Sequence, residues 1–195
     1  MSPTKGYWDK RYKKGRKSRK GKKGLSWVWD LIESYAQKQI RESCIDVGCG
    51  DQTFWKLHYL TRTCKDYVGI DYSLDIINKN IKKYKNRKFI HSNSSVFIPN
   101  IKSDVVLCID LLFHIMNDED YVKTLENLCK YSNLYIFLSN WYRKPEKYDE
   151  SYQIYRNFDD YQHIFKENGF ILVDDPNIPV NDTGKLYVYK LVDVF

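Results

Sequence analysis

The chain has 195 residues, 43% of them apolar, and a formal net charge of +7; that length suits one globular domain with a single full core. The longest apolar run, Val105 to Met116, is short and carries Asp110 and His114, so it does not read as a membrane span. The basic N-terminus lacks an apolar signal core, and five cysteines (Cys44, Cys49, Cys64, Cys108, Cys129) without a C-x-x-C pair argue against a disulfide framework or a zinc cluster, so the expected location is the reducing cytoplasm.

The charge is uneven. Residues 1–24 hold eleven Lys/Arg, all within 5–23, against one acid, Asp9; the remainder holds 21 bases and 24 acids. The basicity therefore belongs to an N-terminal arm, 1–24, in front of a single mildly acidic domain, 25–195. Such an arm is attracted to RNA phosphates or acidic surfaces. The same composition also describes a solvated leader.

In chain order, Ser26 can cap a helix running to about Ser43, with Trp27, Leu31 and Tyr35 on one face. A buried strand over Cys44–Val47 stops at Gly48 and Gly50. A helix is expected over 53–61, a strand over Asp66–Ile70 ending at Asp71, and a helix capped by Ser73 with Ile76, Ile77 and Ile81 apolar. Lys88–His91 and the continuous apolar run Asp104–Ile109 read as strands, the latter covered on both faces. A helix over Asp118–Tyr131, a strand over Leu134–Ser139 and a helix over Phe158–Asn168 ended by Gly169 follow. The last two strands, Phe170–Val173 and Leu186–Val194, have no helix between them and should be antiparallel neighbours. The pattern implies an α/β fold: a doubly wound, mostly parallel seven-stranded sheet with a C-terminal antiparallel hairpin.

In such sheets ligands bind beyond the carboxyl ends of the strands, at the switch point beside the first strand, where Gly48 and Gly50 fall. Asp71, twenty-one residues beyond Gly50, is placed to accept hydrogen bonds from ribose hydroxyls. A dinucleotide fingerprint would continue with a third glycine, where this chain has Thr53. Asp46 at the end of the first strand would repel a pyrophosphate and favour an ammonium or sulfonium.

Ile45-Asp46-Val47-Gly48-Cys49-Gly50-Asp51 resembles motif I of the class I S-adenosylmethionine-dependent methyltransferases. Val68-Gly69-Ile70-Asp71-Tyr72-Ser73 is similar to the family's ribose-binding strand end, and Asp104 to Ile115 to its fourth-strand motif. The sequence departs from the pattern at Gln52, where a further glycine is common, and at Asn93, where an acid is usual. The resemblance implies S-adenosylmethionine as cofactor. Gly48, Cys49 and Gly50 would pass under its methionine part, with Asp46 near the amino end. Asp71 would take the ribose, Tyr72 would flank the adenine, Asn93 and Ser94 would meet its edge, and Asp110 and Leu111 would lie beside the amino acid and sulfonium.

Methyl transfer from a sulfonium needs mainly alignment and water exclusion, with a base only if the nucleophile must lose a proton. Asp110 and His114 are the candidates for that role, beside Asn140. The segment Gly6 to Tyr12 resembles a leader that folds over the cofactor in some members, which would make Tyr7, Trp8, Arg11 and Tyr12 lid residues. Asn140, Trp141 and Arg143, with Tyr148, Tyr152, Tyr155 and Arg156 beyond them, offer a second wall for the acceptor. The acidic run Asn117 to Asp120 reads as helix capping, and no metal is expected. The compact size points to a small-molecule acceptor. A methyltransferase acting on RNA or protein through the basic arm, or a non-catalytic partner subunit, is the alternative, and a nicotinamide oxidoreductase is disfavoured.

Overall fold

The computed structural model describes residues 3–14, 32–36, 39–40, 42–52, 64–173 and 184–192. The helix expected over 53–61, residues 25–31 including Trp27 and Leu31, residues 15–24 of the arm and the end of the last strand lie outside the described residues. Helix α1 spans Pro3–Lys13. Seven strands follow: β1 Ser43–Val47, β2 Asp66–Asp71, β3 Lys88–His91, β4 Ser103–Cys108, β5 Ser132–Trp141, β6 Phe170–Leu172 and β7 Gly184–Leu191. Helix α2 (Leu74–Lys83) joins β2 to β3, α3 (Asp118–Tyr131) joins β4 to β5, and α4 (Gln162–Glu167) precedes β6.

The strands form one sheet in the order β3-β2-β1-β4-β5-β7-β6. All neighbouring pairs from β3 to β5 are parallel, and β7 runs antiparallel to both β5 and β6. The switch point therefore falls between β1 and β4.

Alternation along the strands builds two cores. Cys44, Tyr67, Phe89, Val105, Leu107, Phe137 and Val188 face one side and pack on Ile32, Ala36, Ile40 and Ile77. Ile45, Val47, Ile70, Val106, Cys108, Ile136 and Leu138 face the other, under Tyr121, Leu125 and Leu128 of α3 and Phe165 of α4. Both faces are covered because the crossovers of a parallel sheet lay helices on each side. Among the described residues no helix is long and apolar enough to cross a membrane.

Several local expectations change. Among the described residues of 32–42, before β1, the buried ones are Ile32, Ala36 and Ile40, with Tyr35 only at their margin. The smaller side chains sit flush on the sheet, while the tyrosine is only partly buried against them. Ser73 occupies the N-cap of α2 without a side-chain capping bond; its hydroxyl donates to Asp9 Oδ1 of α1 instead (2.6 Å). Ile81 is exposed, one position off the face that buries Ile77. β5 extends to Trp141, because β7 pairs with it as far as Gly184. The helix expected over 158–168 opens as a 3₁₀ turn, Phe158–Tyr161, before α4, a tightening common at helix ends.

Gly69 is a packing position that the sequence did not single out. A Cβ there would lie 2.8 Å from the Phe89 ring and 2.9 Å from Cys49 Sγ. Gly69→Ala is expected to lower unfolding stability by roughly 1–3 kcal/mol through overpacking, read as a lower urea midpoint; an unchanged midpoint would show that β2, β3 and the loop after β1 are not held this tightly.

Candidate active site

The loop after β1 is set by backbone geometry. Gly48 and Gly50 have φ of 77° and 55°, a region side chains rarely adopt. The Gly48 and Cys49 amides both donate to the Ile70 carbonyl, at 2.8 and 3.0 Å. A Cβ on Gly48 would meet the Leu111 side chain at 3.0–3.1 Å, so loop and post-β4 segment touch there. Gln52, in place of a further glycine, also takes a positive φ of 59°. Its amide group is engaged on both ends: Nε2 donates to Tyr67 Oη (2.8 Å) and the Cys49 carbonyl (3.3 Å), and Oε1 accepts from Arg87 (2.8 Å).

Asp71 closes β2 and binds two backbone amides, accepting from Gly50 N at Oδ2 (2.8 Å) and from Ser73 N at Oδ1 (2.9 Å). On the β4 side, Asp110 has φ 54°. Ser139 of β5 supports it twice: the Asp110 amide donates to Ser139 Oγ (2.7 Å), which donates to Asp110 Oδ1 (3.2 Å). A strained non-glycine residue held from a second strand marks a position whose orientation matters.

Above the strand ends lies α1. Asp9 takes the Ser73 hydroxyl, and Lys79 of α2 donates to the Tyr12 carbonyl (2.8 Å). Trp8 and Tyr12 line the crevice between α1 and the sheet, together with Gly48, Gly50, Asp71, Tyr72, Asn93, Ser94, Asp110, Leu111 and His114. The structure thus gathers these expected residues around one cavity. It adds Ile70, Ser92, Ile115, Met116, Asn117 and Asp120, which sequence reasoning did not assign to it. Asn117 does cap α3, accepting from Asp120 N (2.9 Å), but the capping turn also faces the crevice.

Other expected residues lie outside this lining. Asp46 alternates with Ile45 and Val47, which sends its carboxylate under the sheet to accept from Tyr67 Oη (3.0 Å) rather than up into the crevice. Cys49 turns inward with the same core. Tyr7 stacks on Tyr152 (3.9 Å between ring centroids), with Arg11 donating to its hydroxyl (3.3 Å). Asn140 is buried and donates to Tyr121 Oη (2.9 Å), and Trp141 stacks on Phe113 (4.5 Å).

A segment of the β5–α4 connection straps the post-β4 loop. Ile154 N donates to the Phe113 carbonyl (2.9 Å), and His114 Nδ1 lies 3.0 Å from the Tyr152 carbonyl. Arg156, buried over the Tyr121 ring, donates to the Ile115 carbonyl and to Asp118, both at 2.8 Å.

Electrostatically the crevice is one-signed: Asp71, Asp110 and Asp120 line it with no Lys or Arg among the described lining residues. That suits a cationic ligand and opposes a pyrophosphate. Burial and the nearby Asp71 and Asp51 carboxylates push the Tyr12 phenol well above its ordinary range, keeping it neutral.

A methyltransferase-domain family model matches residues 19–174. Among solved structures, a 1,6-didemethyltoxoflavin N1-methyltransferase from Burkholderia thailandensis, crystallised with that compound and S-adenosylhomocysteine, superposes with a TM-score of 0.74 at 12% identity, covering 98% of this chain and 88% of that one. An S-adenosylmethionine-dependent methyltransferase from Clostridium acetobutylicum gives 0.68 at 13% identity, covering 95% and 96%. Magnesium protoporphyrin IX methyltransferase from Synechocystis, with S-adenosylhomocysteine, gives 0.62 at 17% identity, covering 85% and 80%. No curated protein matches by sequence. The fold is that of the class I S-adenosylmethionine-dependent methyltransferases. Within it, the chain belongs to the methyltransferase-domain family whose model it matches across most of its length.

The strap makes a stability prediction. Arg156→Met removes two charge-assisted bonds and leaves the Ile115 carbonyl without its guanidinium donor, at an expected cost of roughly 1–3 kcal/mol. Chemical denaturation measures it, and a wild-type midpoint would mean that the strap does not hold the loop.

Proposed function

We propose that the chain transfers the methyl group of S-adenosylmethionine to a small acceptor that enters against His114 under α1. The single-signed crevice at the switch point carries the reading: glycines for close backbone approach, three carboxylates and no basic side chain in the described lining. The group supplies, when bound, a methyl already activated by its positive sulfur.

The remaining work falls to the chain. Gly48 and Gly50 hold the methionine part, Asp71 the ribose hydroxyls, and Tyr72 the face of the adenine, with Asn93 and Ser94 at its edge. Asp110 and Leu111 flank the methionine and sulfonium side. Trp8 and Tyr12 exclude water from above. A carbonyl oxygen only accepts, so the contact with Tyr152 puts a proton on His114 Nδ1 and, in the neutral ring, the lone pair on Nε2. His114 can then take a proton from an acceptor N–H or O–H group.

Two observations support a small acceptor: the aromatic roof from α1, and structural neighbours named for 1,6-didemethyltoxoflavin and magnesium protoporphyrin IX. The test is incubation of the protein with methyl-tritiated S-adenosylmethionine and cellular metabolite, RNA and protein fractions. Label is expected in the metabolite fraction, with transfer by His114→Gln slower by roughly 10²–10⁴-fold. Label in RNA or protein would overturn the acceptor class, and label nowhere would overturn the enzymatic reading.

A further inference from the structure

We propose that Asp120 reads the base of the bound nucleoside, accepting the exocyclic amino hydrogen of adenine, and so makes the crevice selective for a 6-aminopurine. The inference rests on the cofactor reading above and adds a residue to it from outside the strand-end loops.

The order of strands places the base. An acid ending the second strand takes the ribose in open α/β sheets, and the glycine loop lies on its β1 side. The base therefore extends the other way, over the ends of β2 and β3, where Ser92 and Asn93 follow His91 and Ser92 N donates to the Asp71 carbonyl (3.1 Å). The first turn of α3 comes against this place. Ser94 Oγ lies 2.9 Å from Thr124 Oγ1, which donates to the Asp120 carbonyl (2.7 Å), and Asn127 Nδ2 donates to the Ser94 carbonyl (2.9 Å). Two of these bonds fix Ser94 to the helix and the third ties Thr124 back to Asp120 one turn away; Ser94 and Asp120 both line the crevice.

The chemistry at the edge then selects Asp120. An amino group needs an acceptor. Asn93 Oδ1 is turned to Ser95 N (3.3 Å), and its amide nitrogen is a donor. The Asp71 carboxylate faces the ribose, held there by the Gly50 and Ser73 amides, and Asp110 sits across the switch point with Ser139. Asp120 is the remaining carboxylate in the described lining. An ionised carboxylate only accepts, so it pairs with the amino group of adenine and repels the oxygen that hypoxanthine carries at the same carbon.

The test is calorimetry with S-adenosylhomocysteine and its hypoxanthine analogue, S-inosylhomocysteine, on the wild type, Asp120→Ala and Asp120→Asn, with circular dichroism to check folding. The wild type is expected to prefer the adenine compound by about tenfold or more, as for a charge-assisted hydrogen bond. Asp120→Ala should lose that preference by weakening the adenine compound. Asp120→Asn, which keeps shape and gains an amide donor, should shift the preference toward the inosyl compound. Full adenine affinity and preference in folded Asp120→Ala would overturn the inference while leaving the cofactor reading intact. Failure of the wild type to bind S-adenosylhomocysteine would overturn both.

Discussion

One carboxylate ties the crevice together. Asp71 accepts the Gly50 amide from the loop after β1 and the Ser73 amide from the start of α2. Two turns on adjacent strands thereby become one rigid ledge at the switch point, and the glycines on it keep φ values that a free loop would lose to entropy. The clasp also reaches upward. With Ser73 N held by Asp71, the Ser73 hydroxyl is directed to Asp9, and α1 is fixed to the same turn. The aromatic roof of Trp8 and Tyr12 therefore depends on the ledge that it covers.

The opposite wall is built independently. Asp110 is held in its left-handed conformation by Ser139 of β5, and the following loop is strapped by Tyr152, Ile154 and Arg156. The walls meet where Leu111 packs over Gly48. Each wall is anchored in the sheet rather than in the other wall, which suits a site that must keep its shape while a ligand enters between them.

The sheet was legible in the sequence because its cues are local: apolar runs stopped by Gly48, by Asp71 and by the turn after β3, and a final pair of strands with no helix between them. Most of the residues around the crevice follow from strand ends alone. Harder to read was what long-range contact decides. Asp46 lies in the right motif, but period-two alternation carries its side chain to Tyr67 beneath the sheet. Ser73 is a good cap by type, yet a partner sixty-four residues away takes its hydroxyl. The strap over 152–156 has no motif, since it works largely through main-chain groups that any sequence possesses. Asp120 reads as helix capping because its turn does cap α3, and the packing of Ser94 against Thr124 is what brings it to the crevice.

The resulting site is an acid-lined, aromatic-roofed crevice, and its sign of charge separates a sulfonium nucleoside from a dinucleotide more sharply than the glycine loop does. Calorimetric titration of the full chain with S-adenosylmethionine and, separately, with NAD⁺ tests this most directly. Saturable binding of S-adenosylmethionine and none of NAD⁺ is the expected result. Binding of NAD⁺ with no heat from S-adenosylmethionine would contradict it.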